Sequence, residues 1–354
     1  MSLILNLIAN AVAAQAVGIG LDGAWQVTAV VKLAYTWDQS GKLTQVQPSP
    51  VLSLDEFAGE AASSGLLRAR ELGPLKPKVD VLLAGALAFP SPITQTDVEI
   101  AVGERLLKRA RVFGDRVWLP GMLSELVPSD PRPVGRIPIA WERSYGGSDP
   151  ADAEYVEPRN PAGSGVARDP KGLHGRPVPN FEESDKAIGT IIGTPTPIGF
   201  GPIAAPWQQR IAFTGTYDEA WAKARRPLLP EDFSAAFSNV APVDQQLDGY
   251  QPDEEVRLLN MSVFGDDRFC LPSMHIPVAF VTDDEFTDTQ AEVDTLTIEP
   301  EERRLTLLAK AQTALPSGPQ SLGRIVIGEM SDAIRESVET GDGPPAEAWT
   351  AVSR

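Results

Sequence analysis

Residues 25–37, WQVTAVVKLAYTW, put Trp25, Val27, Ala29, Val31, Leu33, Tyr35 and Trp37 at alternate positions. Side chains two residues apart share one side of a β-strand, so this run predicts a strand with one long apolar face. The turn-forming DQSGK follows, and LTQVQ can return as a hairpin partner. PKVDVLLAGALAF sets Val79, Val81, Leu83, Leu87 and Phe89 on one face, and TDVEIAVG alternates Val98, Ile100 and Val102. RARVFGDRVW breaks at Gly114 and Asp115 as a tight turn would.

From residue 120 to 215 the periodicity fades and Gly and Pro dominate. Irregular segments this long are uncommon inside compact domains and signal an ordered functional loop, a wrapping connection or a linker. Trp141, Tyr145, Phe181, Phe200 and Trp207 favour a connection that packs on a scaffold, since flexible linkers lack such anchors. TYDEAWAKARRP then reads as a helix: Thr216 and Glu219 have capping-box spacing, Asp218 adds negative charge to the first turn, and Lys223, Arg225 and Arg226 precede Pro227. PEDFSAAFSN reads as a second short helix. Strands resume at EVRLLNM and IPVAFVTD. In DTLTIEPEERRLTLLAKA the turn EPEE should bring Leu296 and Ile298 opposite Leu305 and Leu307. SDAIRESVET reads as an acidic helix and GDGPPAEAWTAVSR as a loosely held tail.

Helix and strand do not alternate as a doubly wound sheet requires. The fold expected is mainly β, with antiparallel β-sheets packed as sandwiches, a long irregular Gly/Pro-rich middle segment and a few short helices. The expected organisation is one composite β-rich domain over residues 1–315. It comprises a β-rich part at 20–119, a loop-rich connection at 120–215, and a helical then β-rich part at 216–315. Residues 316–354 are expected to be helical or a loosely held acidic tail. The two β-rich ends could form separate sheets on either side of the middle.

The chain of 354 residues has 48 acidic against 31 basic side chains, a net charge of −17. That balance disfavours phosphate backbones and anionic lipid surfaces, so neither nucleic acid nor membrane is an expected partner. A basic protein surface suits it better. The single cysteine, Cys270, rules out an internal disulfide, and its place in RFCLPSMHIPVAF suggests a buried, inert thiol. MSLILNLIANAVAAQAVGIG lacks the basic flank of a secretory signal, and Asn6 and Asn10 interrupt its apolar stretch, so a cytoplasmic location is expected.

The chemical inventory is thin. Two histidines, His174 and His275, and one cysteine do not supply a closed zinc site, and TDDEFTDTQAEVD lacks the glycine and ligand order of a calcium loop, so no metal or cofactor is expected. NPAGSG and PIGFGPI lack a following Gly-Lys-Ser/Thr, and prolines remove the backbone donors a phosphate nest needs. No G-x-S-x-G elbow occurs. Paired carboxylates remain an enzymatic route, with Glu142 and Asp218 flanked by aromatic residues and Asp244 as a further acid. The plainer reading pairs Glu142 with Arg143 or Arg210 and gives Asp218 to the helix start.

Several ordered stretches resemble a known family. VFGDRVW, IPIAWERSYGG, RNPAGSG, PVPNFE, TPIGFGPIAAPWQQR, GTYDEAWAKARRPLLPEDFSAAFSNVAPVDQQL and DTLTIEPEERRLTL occur in the order typical of a domain of unknown function encoded beside type VI secretion genes. The resemblance also takes in LNLIAN and VVKLAYTW, and runs from about residue 5 to 315. Two positions depart from it: Tyr145 stands where many members have Phe, and Ala309-Lys310 where the last strand often ends Trp-Arg.

The resemblance implies a non-enzymatic effector adaptor or chaperone. Such a protein binds a cognate secreted effector and helps load it onto the type VI spike, made of valine-glycine-repeat and PAAR-type proteins. It also marks partner-binding or fold-fingerprint residues, namely Trp141, Glu142, Arg143, Tyr145, Gly146 and Gly147, then Asn160, Pro161, Gly163 and Gly165. Further along come Trp207, Arg210, Tyr217, Asp218 and Trp221, and finally Pro230, Phe233, Asp244 and Gln245. The alternative is a carbohydrate-active or carbohydrate-binding β-protein built on the acids above.

Overall fold

The alternating run at 25–37 forms the Trp25–Trp37 strand of a seven-stranded sheet. The computed structural model describes residues 3–61, 63–122, 125–189, 195–283 and 285–339. Ala11–Ile19 and Arg304–Ala314 flank Trp25–Trp37, both antiparallel, and Leu43–Val46 returns along it as expected. Arg304–Ala314 also hairpins with Glu292–Glu299, where Leu296 faces Leu307 and Ile298 faces Leu305, the register read from the sequence. Val79–Leu83 joins parallel to Glu292–Glu299, and Gln246–Leu247 ends the order.

A five-stranded sheet is built on Gln95–Val102, with Leu106–Phe113 and Glu255–Ser262 antiparallel on either side of it. Val27, Val31 and Leu33 from the first sheet and Val98, Ile100, Val102 and Val256 from the second belong to one buried cluster. Each such side chain contributes about 1.5–3 kcal/mol when fully buried. The chain is mainly β, with sheets that are mostly antiparallel and, among the described residues, none closed into a barrel.

A four-stranded sheet holds Leu3–Asn6 parallel to Leu322–Ile327, and Pro277–Thr282 paired antiparallel with Leu322–Ile327 and Glu285–Gln290. Leu322–Ile327 lies where a helix or loosely held tail was expected, yet Ile325, Val326 and Ile327 are wholly buried. A continuous run of buried apolar residues fits a strand covered on both sides. The expected helix does form at Asp332–Glu339, with Ile334 and Val338 against Leu5, Ala279, Val281 and Val326. GDGPPAEAWTAVSR lies outside the described residues.

Other expectations are corrected. The two β-rich ends do not form separate sheets: Trp25–Trp37 pairs with Arg304–Ala314, and Gln95–Val102 with Glu255–Ser262, so both large sheets interleave the two ends. The 79–89 run is not one strand. Gly85, at φ +80°, turns the chain out of the seven-stranded sheet, and Ala86–Ile93 pairs instead with Val134–Pro138. The break at Gly114 and Asp115 makes no hairpin; Leu106–Phe113 and Arg116–Pro120 part into different sheets. Cys270 is exposed, because it points away from the core at the end of the Gly265–Cys270 edge strand while Phe269 points in.

Candidate functional site

The residues singled out in the middle segment form a tight backbone-to-backbone assembly. Tyr145–Gly146 pairs in parallel with Ser164–Gly165, and the fully buried Asn160 donates Nδ2 hydrogen bonds to the Trp141 and Tyr145 carbonyls, both at 2.9 Å. Gly147 adopts φ +83°, and a Cβ there would overlap the Gly163 carbonyl oxygen. A Cβ on Gly163 would in turn meet the Asn160 amide and the Ser144 carbonyl, and Pro161 sits half-buried in the turn between them. The double glycine is thus a packing requirement. Trp141 is buried, donates from Nε1 to the Pro202 carbonyl at 2.9 Å, and meets the buried Trp207 edge to face at 5.4 Å. Arg143 bonds to Asp115 and Asn180 side chains, both at 3.2 Å.

Glu157 opens this loop and takes two bonds from the Arg159 guanidinium at 2.7 and 2.8 Å, which holds its carboxyl below the ordinary carboxylate range. Its folded pKa therefore lies under its unfolded one. Its contribution to stability is complete above the unfolded value, about 4.3, and is lost as pH falls through the folded value. The urea midpoint of the wild-type chain should fall on acidification below about pH 4.3, and Glu157→Gln should flatten that slope. An unchanged slope would show that the pair carries no linkage.

The helical segment is also tied into the scaffold. Glu219–Ala224 is capped by Asp218, whose carboxylate accepts from the Trp221 N–H at 2.8 Å. The capping role expected of Thr216 is therefore Asp218's; the Thr216 hydroxyl instead bonds to Asp232 at 2.7 Å. PEDFSAAFSN yields a short 3-10 turn, Ala235–Ser238, in place of an α-helix. Trp221 is half-buried with its indole N–H on the Leu228 carbonyl, and the exposed Tyr217 packs against it at 4.7 Å. Pro230 is buried, and Phe233 meets Phe237 at 5.5 Å.

Gln245 is fully buried and donates to the Val81 and Phe200 carbonyls. Arg210 gives its guanidinium to the Phe237 and Ile203 carbonyls, and burial lowers its pKa. Asp244 pairs with Lys108 at 3.0 Å. Burial pushes the Lys108 ammonium below its ordinary range, and Asp244 opposes that shift. Trp141, Arg210 and Asp244 border one largely apolar groove of about 510 Å³, with Phe213 and Val243 exposed beside them.

Glu142 pairs with neither Arg143 nor Arg210; its Oε1 accepts from the Gly65 N–H at 2.6 Å. The three acids weighed for sugar chemistry each have a partner of their own: Asp218 caps a helix, Asp244 faces Lys108, and Glu142 holds Gly65 in the 49–76 excursion between the Leu43–Val46 and Val79–Leu83 strands. Among the described residues no three or more His, Cys, Asp or Glu side chains gather to hold a metal ion, and no helix is long and apolar enough to cross a membrane. His174 is exposed in the Gly/Pro-rich loop, beside a short bridge to Trp118.

One further site has a sequence signal that is not a motif. Beneath residues 49–76, the face of the seven-stranded sheet turned from the core carries three ion pairs: Lys32–Glu71 and Lys76–Asp80 at 2.7 Å, and Lys310–Asp294 at 2.9 Å. All six side chains are nearly shut off from water. Asp80 accepts further bonds from Asn239 Nδ2 and the Val240 N–H, and Lys32 donates to Ser49 and to the Pro50 carbonyl. Burial lowers the Lys310 pKa, with Asp294 opposing. The departure at Ala309-Lys310 has its reason here, since Ala309 fills the core and Lys310 the polar face. The signal is a lone charge amid apolar neighbours in AVVKLAY, VDVLL and LLAKAQ.

The fold and these two assemblies define a multi-sheet antiparallel β protein whose middle segment is clamped onto the sheets. The chain belongs to the family described as an uncharacterized protein conserved in bacteria (DUF2169), which matches residues 22–310. No curated protein and no solved structure matches it.

Proposed function

We propose that the chain is a cytoplasmic, non-enzymatic adaptor or chaperone that binds a type VI secretion effector and helps load it onto the spike of valine-glycine-repeat and PAAR-type proteins. The observation that carries this reading is the strand at the end of the seven-stranded sheet. Ala11–Ile19 pairs with Trp25–Trp37 alone among the described strands, and its nine residues, AVAAQAVGI, contain no charge and no proline. Val17, Ile19, Leu21 and Trp25 are exposed at one end of it. Folded proteins usually blunt such edges with lysine, proline or bulges, because a bare row of N–H and C=O groups invites another strand. An extended segment of a cargo protein fits it by strand addition. The resemblance supplies the kind of cargo, and the net charge of −17 favours a basic one.

The effector encoded beside this gene should co-purify with the chain, and its binding should weaken as salt rises. Val17→Lys with Ile19→Lys should abolish capture while moving the denaturation midpoint little, since exposed substitutions change stability by about 0.5 kcal/mol or less. Undiminished capture by this variant would remove the edge as the docking element. Failure of the wild-type chain to bind the effector would overturn the adaptor reading itself.

A further inference from the structure

The polar face of the seven-stranded sheet also borders a partly open cavity of about 400 Å³. Its floor follows from strand register: Glu299 lies opposite Arg304, Thr297 opposite Thr306 and Thr295 opposite Leu308. The next ladders set Leu82 beside Thr297 and Ala34 beside Thr306. Two adjacent threonine hydroxyls therefore lie mid-floor between neutral neighbours.

Cations surround them. Lys32, Arg68, Arg70, Lys76 and Arg304 line the cavity against three carboxylates, so it is positive within a chain of net charge −17. Lys32, Lys76 and Arg68 are held by Glu71, Asp80 and Glu299. Arg70 and Arg304 have no carboxylate within ion-pair distance among the described residues, and the third lining carboxylate, Glu302, is exposed and likewise without a cation. Guanidinium groups only donate hydrogen bonds, in a planar fork that matches an oxyanion.

We propose that this cavity binds a compact oxyanion, a phosphate or a carboxylate, between Arg70 and Arg304 and over the hydroxyls of Thr297 and Thr306. A bound anion fastens the 49–76 excursion, which contributes Arg70 and Ser49, to a floor supplied by the sheet. This site stands apart from the sheet edge and does not depend on the adaptor reading.

The test titrates inorganic phosphate and, separately, acetate into the full chain at fixed ionic strength, read by calorimetry. At least one should saturate; phosphate alone identifies a phosphate site, acetate alone a carboxylate site, and both a general oxyanion site. Arg70→Gln and Arg304→Gln should each weaken binding about tenfold or more, and Thr306→Val less. Arg70 is exposed, so its variant should fold even if the Arg304 variant does not. No saturation by either anion, or affinity unchanged in Arg70→Gln, would overturn the proposal.

Discussion

Asp80→Ala should lower the unfolding free energy by about 3–5 kcal/mol, a loss typical of breaking a buried ion pair on one side. Asp80 is wholly buried and takes hydrogen bonds from Lys76 Nζ at 2.7 Å, the Val240 N–H at 2.8 Å and Asn239 Nδ2 at 2.9 Å. Truncation strands the Lys76 ammonium, whose side chain is only 9% exposed, and two further donors. Asp80→Asn keeps the shape but not the charge, and should lose most of the same amount. Replacing both partners, Asp80→Leu with Lys76→Met, should recover much of the loss, because an apolar pair carries no desolvation cost. The measurement is urea denaturation, with a shifted midpoint and an unchanged slope as the expected signature. If Asp80→Ala unfolds at the wild-type midpoint, the sheet face is hydrated and its ion pairs are immaterial to stability.

The same network shows which parts of the fold were legible. Trp25–Trp37 and the 292–314 hairpin could be read because alternation and turn chemistry are local, and a hairpin's register follows from its turn. The interleaving of the two ends could not. The pairing of Trp25–Trp37 with Arg304–Ala314 is set by which apolar faces complete a common core, information spread over almost three hundred residues of chain. Val79, Val81, Leu83, Leu87 and Phe89 do enter that core, so their inward parity was read correctly, while the change of sheet at Gly85 was missed. Cys270 illustrates the reverse case. Its burial was inferred from its neighbours' hydrophobicity, but in Gly265–Cys270 the buried Asp267 and Phe269 share the parity opposite to Cys270. As for the site, the fingerprint residues stand out in the sequence as motifs. The charged face does not, because each of Lys32, Asp80, Asp294 and Lys310 looks like an interruption until the strands bring them together.

Trp141→Ala should cost about 3–5 kcal/mol, the range for truncating a large buried aromatic. The ring packs with Leu66, Ile203, Ala204 and Trp207, and a Cβ on Gly199 would collide with it, so that glycine is there to admit the indole. Trp141→Phe should cost less, about 1–3 kcal/mol, because it keeps most of the ring but leaves the Pro202 carbonyl without its donor. The two substitutions separate the duties a fingerprint can have. Trp141 holds the 49–76 excursion through Leu66, and Asn160 holds its carbonyl, so its removal should loosen both segments together. Hydrogen exchange should accelerate in residues 63–69 and 141–165 in Trp141→Ala, while the Glu292–Glu299 and Arg304–Ala314 hairpin stays protected. A variant that keeps its midpoint and its exchange pattern yet loses a partner would instead make Trp141 a contact residue. Its 4% exposure argues for the first outcome, since a side chain that meets a partner directly must be reachable from solvent before the partner arrives.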